Sequence, residues 1–399
     1  MIISFCVLLL VAYLFELTAS RTRIPAVIIL LAMGFLVKQI TVFFAIQLPD
    51  FSFALPILGT VGLILIVLEG SLELELNRSR IGLVSRSSLG SLFSIVVLAL
   101  GFGFSFRYLT GCSLQDGMLN AVPLCVISSS VAIPSIRHLV SRDRDFVIYE
   151  SSLSDIFGVL LFNFLAVEST LNASMVGRFG LQLLSITLIS FLATIGLSLL
   201  LSRIEHHIKF FPIILLVVLI YTVSIYYDLP ALIFILLFGL FLGNIDKLKG
   251  FRWIEKFRPA KLSPEVGRLK ELVIESTFLV RALFFLLFGY LIQTEQLFNS
   301  GTFIYAAIVT VAILLVRGVQ LKLSGLPLSP LLFVAPRGLI TVLLFVSINE
   351  SRRIPLVNNS LILQVVILTS LVMMIGLMTA RTKKENAQPE DSPTPPAES

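Results

Sequence analysis

Ser128-Ser129-Ser130-Val131-Ala132-Ile133-Pro134 stands in the middle of one apolar run, and Ala335-Pro336-Arg337-Gly338 in the middle of another, much later in the chain. Each interrupts a stretch otherwise suited to crossing a bilayer, which takes about 20 helical residues. Proline and glycine weaken a helix, and three serines in a row offer hydroxyls where lipid wants hydrocarbon. Matched interruptions in two halves of a chain point to a transporter's midplane site, built from broken helices. A milder reading is that such residues are simply commoner in membrane helices than in soluble ones.

The surrounding sequence agrees on the solvent. Of 399 residues, 57% are hydrophobic and 14% charged, with mean hydropathy +0.99; a soluble domain carries about 25% charged residues. In lipid every backbone amide must bond within its own segment, so the runs predict helices. Apolar runs place them at about 2–18, 24–47, 54–73, 87–107, 117–140, 146–168, 179–202, 210–227, 229–246, 272–292, 301–322, 329–349 and 356–380. No short alternating segments of a barrel are present. The fold class is therefore all-α, with about thirteen transmembrane helices. The breaks fall in the fifth helix of each of two inverted six-helix units, with the seventh helix as linker. The first run has no basic stretch before it and Glu16 interrupts its end, so it reads as a span rather than a signal. The longest join is the basic loop Lys247–Lys270. The tail Arg381–Ser399, rich in Pro, Ser and Glu, reads as disordered.

Alternate joins carry very different charge. One set holds 22 Lys and Arg, the other only Arg107, Arg178, Arg352 and Arg353. Because basic loops stay cytoplasmic, the N-terminus reads as outside and the C-terminus as inside. The overall basic balance is then topology, not a nucleic-acid surface. Cys6, Cys112 and Cys125 have no disulfide or metal spacing. His138, His206 and His207 fall in cytoplasmic joins, no nucleophile or metal cluster is evident, and no enzyme or cofactor is expected.

Charges inside spans cost about 2.5–3.5 kcal/mol each even on lenient scales, so each asks for a task or a partner. Asp155 sits well inside the sixth run, in Tyr149-Glu150-Ser151-Ser152-Leu153-Ser154-Asp155. A buried carboxylate can hold a proton or a cation but not both cheaply, and that competition is the minimal chemistry of exchange; a structural ion pair is the alternative. Ser151, four residues earlier, shares its face and could add an oxygen ligand. Glu150 lies about 140° further round. It pairs most economically with Arg317 of the eleventh span, as a structural brace. Arg337 either offsets a half-helix dipole at the second break or snorkels to the cytoplasm. Ser128 and Ser129 offer ligands beside Asp155, or only close packing. Glu69 is a secondary ligand or an interfacial acid like Glu73 and Glu75. Arg281, near the start of the tenth span, reads as an interfacial anchor, and Glu16 and Lys38 receive no role.

These motifs resemble the monovalent cation/proton antiporters of the NhaP/NHE type, over nearly the whole chain from Arg23-Ile24-Pro25 to Arg337-Gly338. Glu69-Gly70 with Leu72-Glu73-Leu74 resembles the family's EGGLEL region. Glu150-Ser151 with Asp155 resembles ESLLND, and Pro336-Arg337-Gly338 resembles its second-crossing RG. The chain departs where Ser154 replaces the usual Asn, and where Ser128-Ser129-Ser130 replaces Thr-Asp-Pro. The resemblance implies an antiporter exchanging Na+, K+ or Li+ for H+, electroneutrally, in the cell (inner) membrane. Asp155 takes the ion, Ser151 assists, and Glu150 pairs with Arg317. It further implies a homodimer, with dimerisation helices at about 2–47 and 210–292 and a mobile core at about 54–73, 87–168 and 301–380. Residues 1–380 form the membrane domain and 381–399 the tail. A potassium efflux system and a non-transporting scaffold or sensor stand as alternatives.

Overall fold

The computed structural model describes Leu10, Tyr13 and residues 25–44, 53–74, 81–136, 139–167, 173–203, 210–227, 231–245 and 259–379. The expected first span apart from Leu10 and Tyr13, the tail, much of the basic loop and the three histidines lie outside the described residues. Among those described there is helix and no strand. In chain order the helices are α1 (Ala26–Phe43), α2 (Ala54–Glu73), α3 (Ile81–Thr110), α4 (Leu114–Cys125), α5 (Ser129–Ser135), α6 (Ser141–Val167), α7 (Ala173–Arg203), α8 (Phe210–Tyr226), α9 (Leu232–Gly243), α10 (Pro259–Leu291), α11 (Thr294–Leu297), α12 (Ser300–Leu323), α13 (Leu339–Val346) and α14 (Asn359–Thr379).

Both interrupted runs are broken. The fifth splits into α4 and α5 around an extended Val126–Ser128. The twelfth begins as a single 3₁₀ turn, Leu331–Phe333, unwinds over residues 334–338 and resumes as α13. The two breaks meet, since the Ser128 amide donates to the Pro336 carbonyl at 3.0 Å. Gly338 is required there. A Cβ on it would lie 2.5 Å from Ser128 Oγ and 2.7 Å from Val131 Cγ2, closer than any side chain tolerates.

Around this crossing α3, α4, α5, α6, α12, α13 and α14 pack as one group. α10 lies along α1 and α2, and α9 packs on α2 and α7, forming a second group. α2 reaches the first group mainly through α13 and α6. So Ala54–Glu73, placed with the core by resemblance, lies mostly against α9 and α10.

Among the described residues, seven helical stretches are long and apolar enough to span a bilayer by themselves, including Ala54–Glu73, Leu114–Ser135, Ser300–Leu323 and Asn359–Thr379. α12 shows how the lipid solvent sorts a helix. Ile304, Ile308, Val311, Leu315 and Val319 are exposed on one stripe. Thr302, Thr310, Arg317 and Gln320 are buried on the other. The polar residues face inward because lipid cannot hydrogen-bond them.

Two expectations are corrected. α10 begins at Pro259, so the second half of the supposed basic loop Lys247–Lys270 is helix. Val266 and Leu269, three apart on one helix face, are both buried, while Arg268 between them is exposed. Arg281 is not an interfacial anchor: it lies deep within α10 and is only 8% exposed. Lys38 also has a partner, donating from Nζ to the Ile292 carbonyl at 2.7 Å, at the C-terminal end of α10.

Candidate functional site

α6 carries two acids in the interior, and the fold surrounds them differently. Glu150 is fully buried. Arg317 grips it in bidentate fashion, with NH1–Oε1 and NH2–Oε2 both at 3.0 Å. Gln320, one turn along α12, donates to Oε1 as well. Ser94 of α3 in turn donates to Gln320 Oε1 at 3.3 Å. Arg317 Nε donates to the Leu331 carbonyl at 2.6 Å, just before the second break. A buried pair with its other lone pairs and protons satisfied is the form in which such a pair is tolerable.

Asp155 is 3% exposed and has one neighbour of this kind. Ser129 Oγ donates to its Oδ2 at 2.5 Å. Its Oδ1 is buried and has no hydrogen-bond partner. No ion pair to Asp155 occurs among the described residues. An acceptor oxygen in that condition has bonding capacity for one proton or one small cation, and leaving it empty is costly.

The other candidate side chains have different commitments. Ser151 Oγ is buried and donates to the Val147 carbonyl at 2.8 Å, which leaves only its lone pairs for a ligand. Ser128 Oγ shares a hydrogen bond with Ser130 Oγ at 2.9 Å. Glu69 is half-buried in the last turns of α2. The next residue, Gly70, faces α6, since a Cβ there would lie 3.5 Å from Ser152 Oγ. Ser152 Oγ is itself buried without a partner. Ser152 escaped the sequence reading, although its spacing of three from Asp155 marks it as a near-face neighbour.

Breaking two helices in lipid strands backbone groups, and each must find a partner. The Ile127 amide donates to Ser154 Oγ at 2.9 Å, so Ser154, where the resemblance expects Asn, serves the first break. The Arg337 amide donates to Thr369 Oγ1 at 3.0 Å. Arg337 is 1% exposed and does not snorkel. Its Nε donates to the Leu124 carbonyl at 2.7 Å, at the C-terminal end of α4, and NH1 to the Ala335 carbonyl at 3.0 Å. A cation at the carbonyl end of a half-helix opposes the negative end of its dipole. Gln320, Thr369 and Ser94 were not singled out from sequence; the available signal was an amide or hydroxyl inside an otherwise apolar run.

Comparisons with known proteins agree with this architecture. No curated protein matches the chain. Among solved structures, the sodium proton antiporter MjNhaP1 from Methanocaldococcus jannaschii, determined at pH 8, superposes with a TM-score of 0.67 at 17% identity, covering 94% of this chain and 98% of that one. A second structure of MjNhaP1, from electron microscopy, gives 0.63 at 17% identity and covers 94% of each. That likeness establishes a shared fold. At the level of sequence, residues 6–384 match the model of the transmembrane sodium/hydrogen exchanger family, and the chain belongs to that family.

Proposed function

We propose that this protein exchanges one monovalent alkali cation, Na+ first and K+ or Li+ as alternatives, for one proton at Asp155. The observation that carries the reading is the contrast at α6: Glu150 is held by Arg317 and Gln320, while Asp155 keeps a buried oxygen with no donor. A carboxylate so placed is stable only when something neutralises it, and a proton and a cation are rival ways of doing so. Since either occupant leaves the site neutral, the exchange is electroneutral.

Alkali cations want several oxygens. Ser129, Ser128 and Ser151 supply hydroxyl oxygens near Asp155, and Glu69 supplies a second carboxylate from α2. Arg337 offsets the half-helix ends, and the Glu150–Arg317 pair braces the crossing. Alternating access comes from a core of about 54–73, 87–168 and 301–380. It moves against a scaffold, formed from about 2–47 and 210–292, through which two copies dimerise. Charge bias in the joins supports an outside N-terminus, a cytoplasmic C-terminus and residence in the cell (inner) membrane, with pH homeostasis as the role.

The test is a proteoliposome with an imposed pH gradient. Addition of Na+, Li+ or K+ should dissipate it, and Asp155→Asn should reduce the response to that of empty vesicles. An undiminished rate in Asp155→Asn would refute the site. An imposed membrane potential should leave the rate unaltered.

A further inference from the structure

α5 lacks a donor. In a helix each carbonyl accepts from the amide four residues on. Ser130 would accept from residue 134, which is proline and has no N–H. With no water in the hydrocarbon, that carbonyl needs a donor from elsewhere. Arg281 provides one: its NH1 donates to the Ser130 carbonyl at 3.3 Å. The guanidinium reaches it from α10, a helix whose principal neighbours are α1 and α2.

The position of this bond gives it consequence. Ser130 follows Ser129, whose hydroxyl meets Asp155 Oδ2 at 2.5 Å. On the other side of Ser129, the Ser128 amide is fixed to the Pro336 carbonyl. The hydroxyl that approaches Asp155 therefore sits on a short segment tied down at one end by the second break and at the other by Arg281. Release of either end lets the start of α5 shift, and Ser129 with it.

We propose that Arg281 is a positioning residue for cation binding: by donating to the carbonyl that Pro134 leaves unserved, it holds Ser129 in register with Asp155. The proposal rests on the antiport reading at Asp155 and adds a residue that reading does not use. Arg281 acts through Ser129 and does not touch the ion. What the site needs from it is a donor at Ser130, so a donor restored by other means should serve. Pro134→Ala returns an amide at the helical position and makes the arginine dispensable.

The experiment measures KM for Na+ and kcat in proteoliposomes for wild type, Arg281→Ala, Arg281→Lys and the double variant Arg281→Ala/Pro134→Ala. A lost buried hydrogen bond of this kind predicts about a tenfold rise in KM for Arg281→Ala, with kcat little changed. Arg281→Lys, which keeps a donor on a long stem, should recover part of the loss. The double variant should return KM to within about threefold of wild type. A double variant as impaired as Arg281→Ala overturns the proposal, because the charge rather than the donor would then be what matters. A KM unmoved in Arg281→Ala overturns it as well. If Arg281→Ala does not fold, the same rescue is read as folded yield on a sizing column, and failure of Pro134→Ala to restore it counts against the idea. A wild-type protein silent toward all three cations would sink the antiport reading. Melting temperatures of Arg281→Ala and the double variant would still read the donor at Ser130.

Discussion

Glu150 and Asp155 occupy the same helix, five residues apart, both buried, and their surroundings are opposites. Around Glu150 three side chains from two other helices close a network: Arg317 and Gln320 from α12 and Ser94 from α3. Asp155 accepts a hydrogen bond from one hydroxyl, that of Ser129, at the start of α5 just beyond the break. The spacing explains how one helix serves both. Five residues turn the helix by about 140°, so Glu150 faces α3 and α12 while Asp155 faces the break between α4 and α5. What the comparison teaches is that a buried acid is not in itself a site. A saturated acid is architecture. An acid with a spare oxygen is a place where something can arrive.

The largest expected effect comes from removing that saturation. Arg317→Ala strands Glu150 without its counter-charge and leaves the Leu331 carbonyl unserved. Breaking a buried pair from one side costs about 3–5 kcal/mol, comparable to a large part of a domain's stability. Folded yield in detergent and the melting temperature should fall sharply. Adding Glu150→Gln to Arg317→Ala should recover part of the loss, because the stranded charge is gone. If Arg317→Ala instead folds normally and exchanges with an altered order of cation preference, the contrast between the two acids is wrong, and Glu150 belongs to the ion pathway.

Much of this arrangement was legible beforehand, for a physical reason. Lipid makes each polar or charged residue in a span anomalous, so Asp155, Glu150, Arg317 and Arg337 announce themselves, and opposite charges such as Glu150 and Arg317 need one another. The broken spans are legible because serines, proline and glycine cluster at matched places in two halves. Partners that depend on a crossing are not legible. Arg281 reads as an anchor until α10 is seen to extend back to Pro259, which moves Arg281 from an end to the interior. Its bond exists because the Ser130 carbonyl, which Pro134 leaves unserved, comes within reach of α10, and no spacing along the chain contains that. Ser154 likewise reads as a departure from a motif, and only the fold shows its hydroxyl accepting the Ile127 amide. The packing of α2 mainly on α9 and α10 is invisible to a reading made one helix at a time.

A second, smaller effect sharpens the Asp155 side of the comparison. Ser129→Ala removes the hydroxyl that donates to the carboxylate and leaves the Glu150–Arg317 pair untouched. Hydrogen bonds to charged groups contribute about 1.5–3 kcal/mol, so KM for the cation should rise by about tenfold or more, with little change in melting temperature. The measurement is a paired one, transport kinetics beside thermal unfolding. A drop in melting temperature like that of Arg317→Ala, with KM unmoved, would put Ser129 on the architectural side.

The smallest effect is expected at Ser151, and it tests whether nearness on a helix face is enough. Its hydroxyl hydrogen is already given to the Val147 carbonyl, its own helix's backbone, so nothing outside α6 depends on it. Only lone pairs remain for a cation. Replacing it by alanine removes a neutral oxygen that competes weakly with other ligands, and the helix backbone keeps its bond to the amide of Ser151. A neutral interaction of about 0.5–1.5 kcal/mol predicts a change in KM of a few-fold at most, read by titrating Na+ against the initial rate of proton movement. The ranking matters more than either value. Ser129 stands on a broken segment aimed at Asp155 and Ser151 on an intact turn aimed at its own backbone, so the loss at Ser129 should exceed the loss at Ser151. Should the order reverse, the cation is held from the α6 side, and the break between α4 and α5 shapes access to Asp155 more than it binds what arrives there.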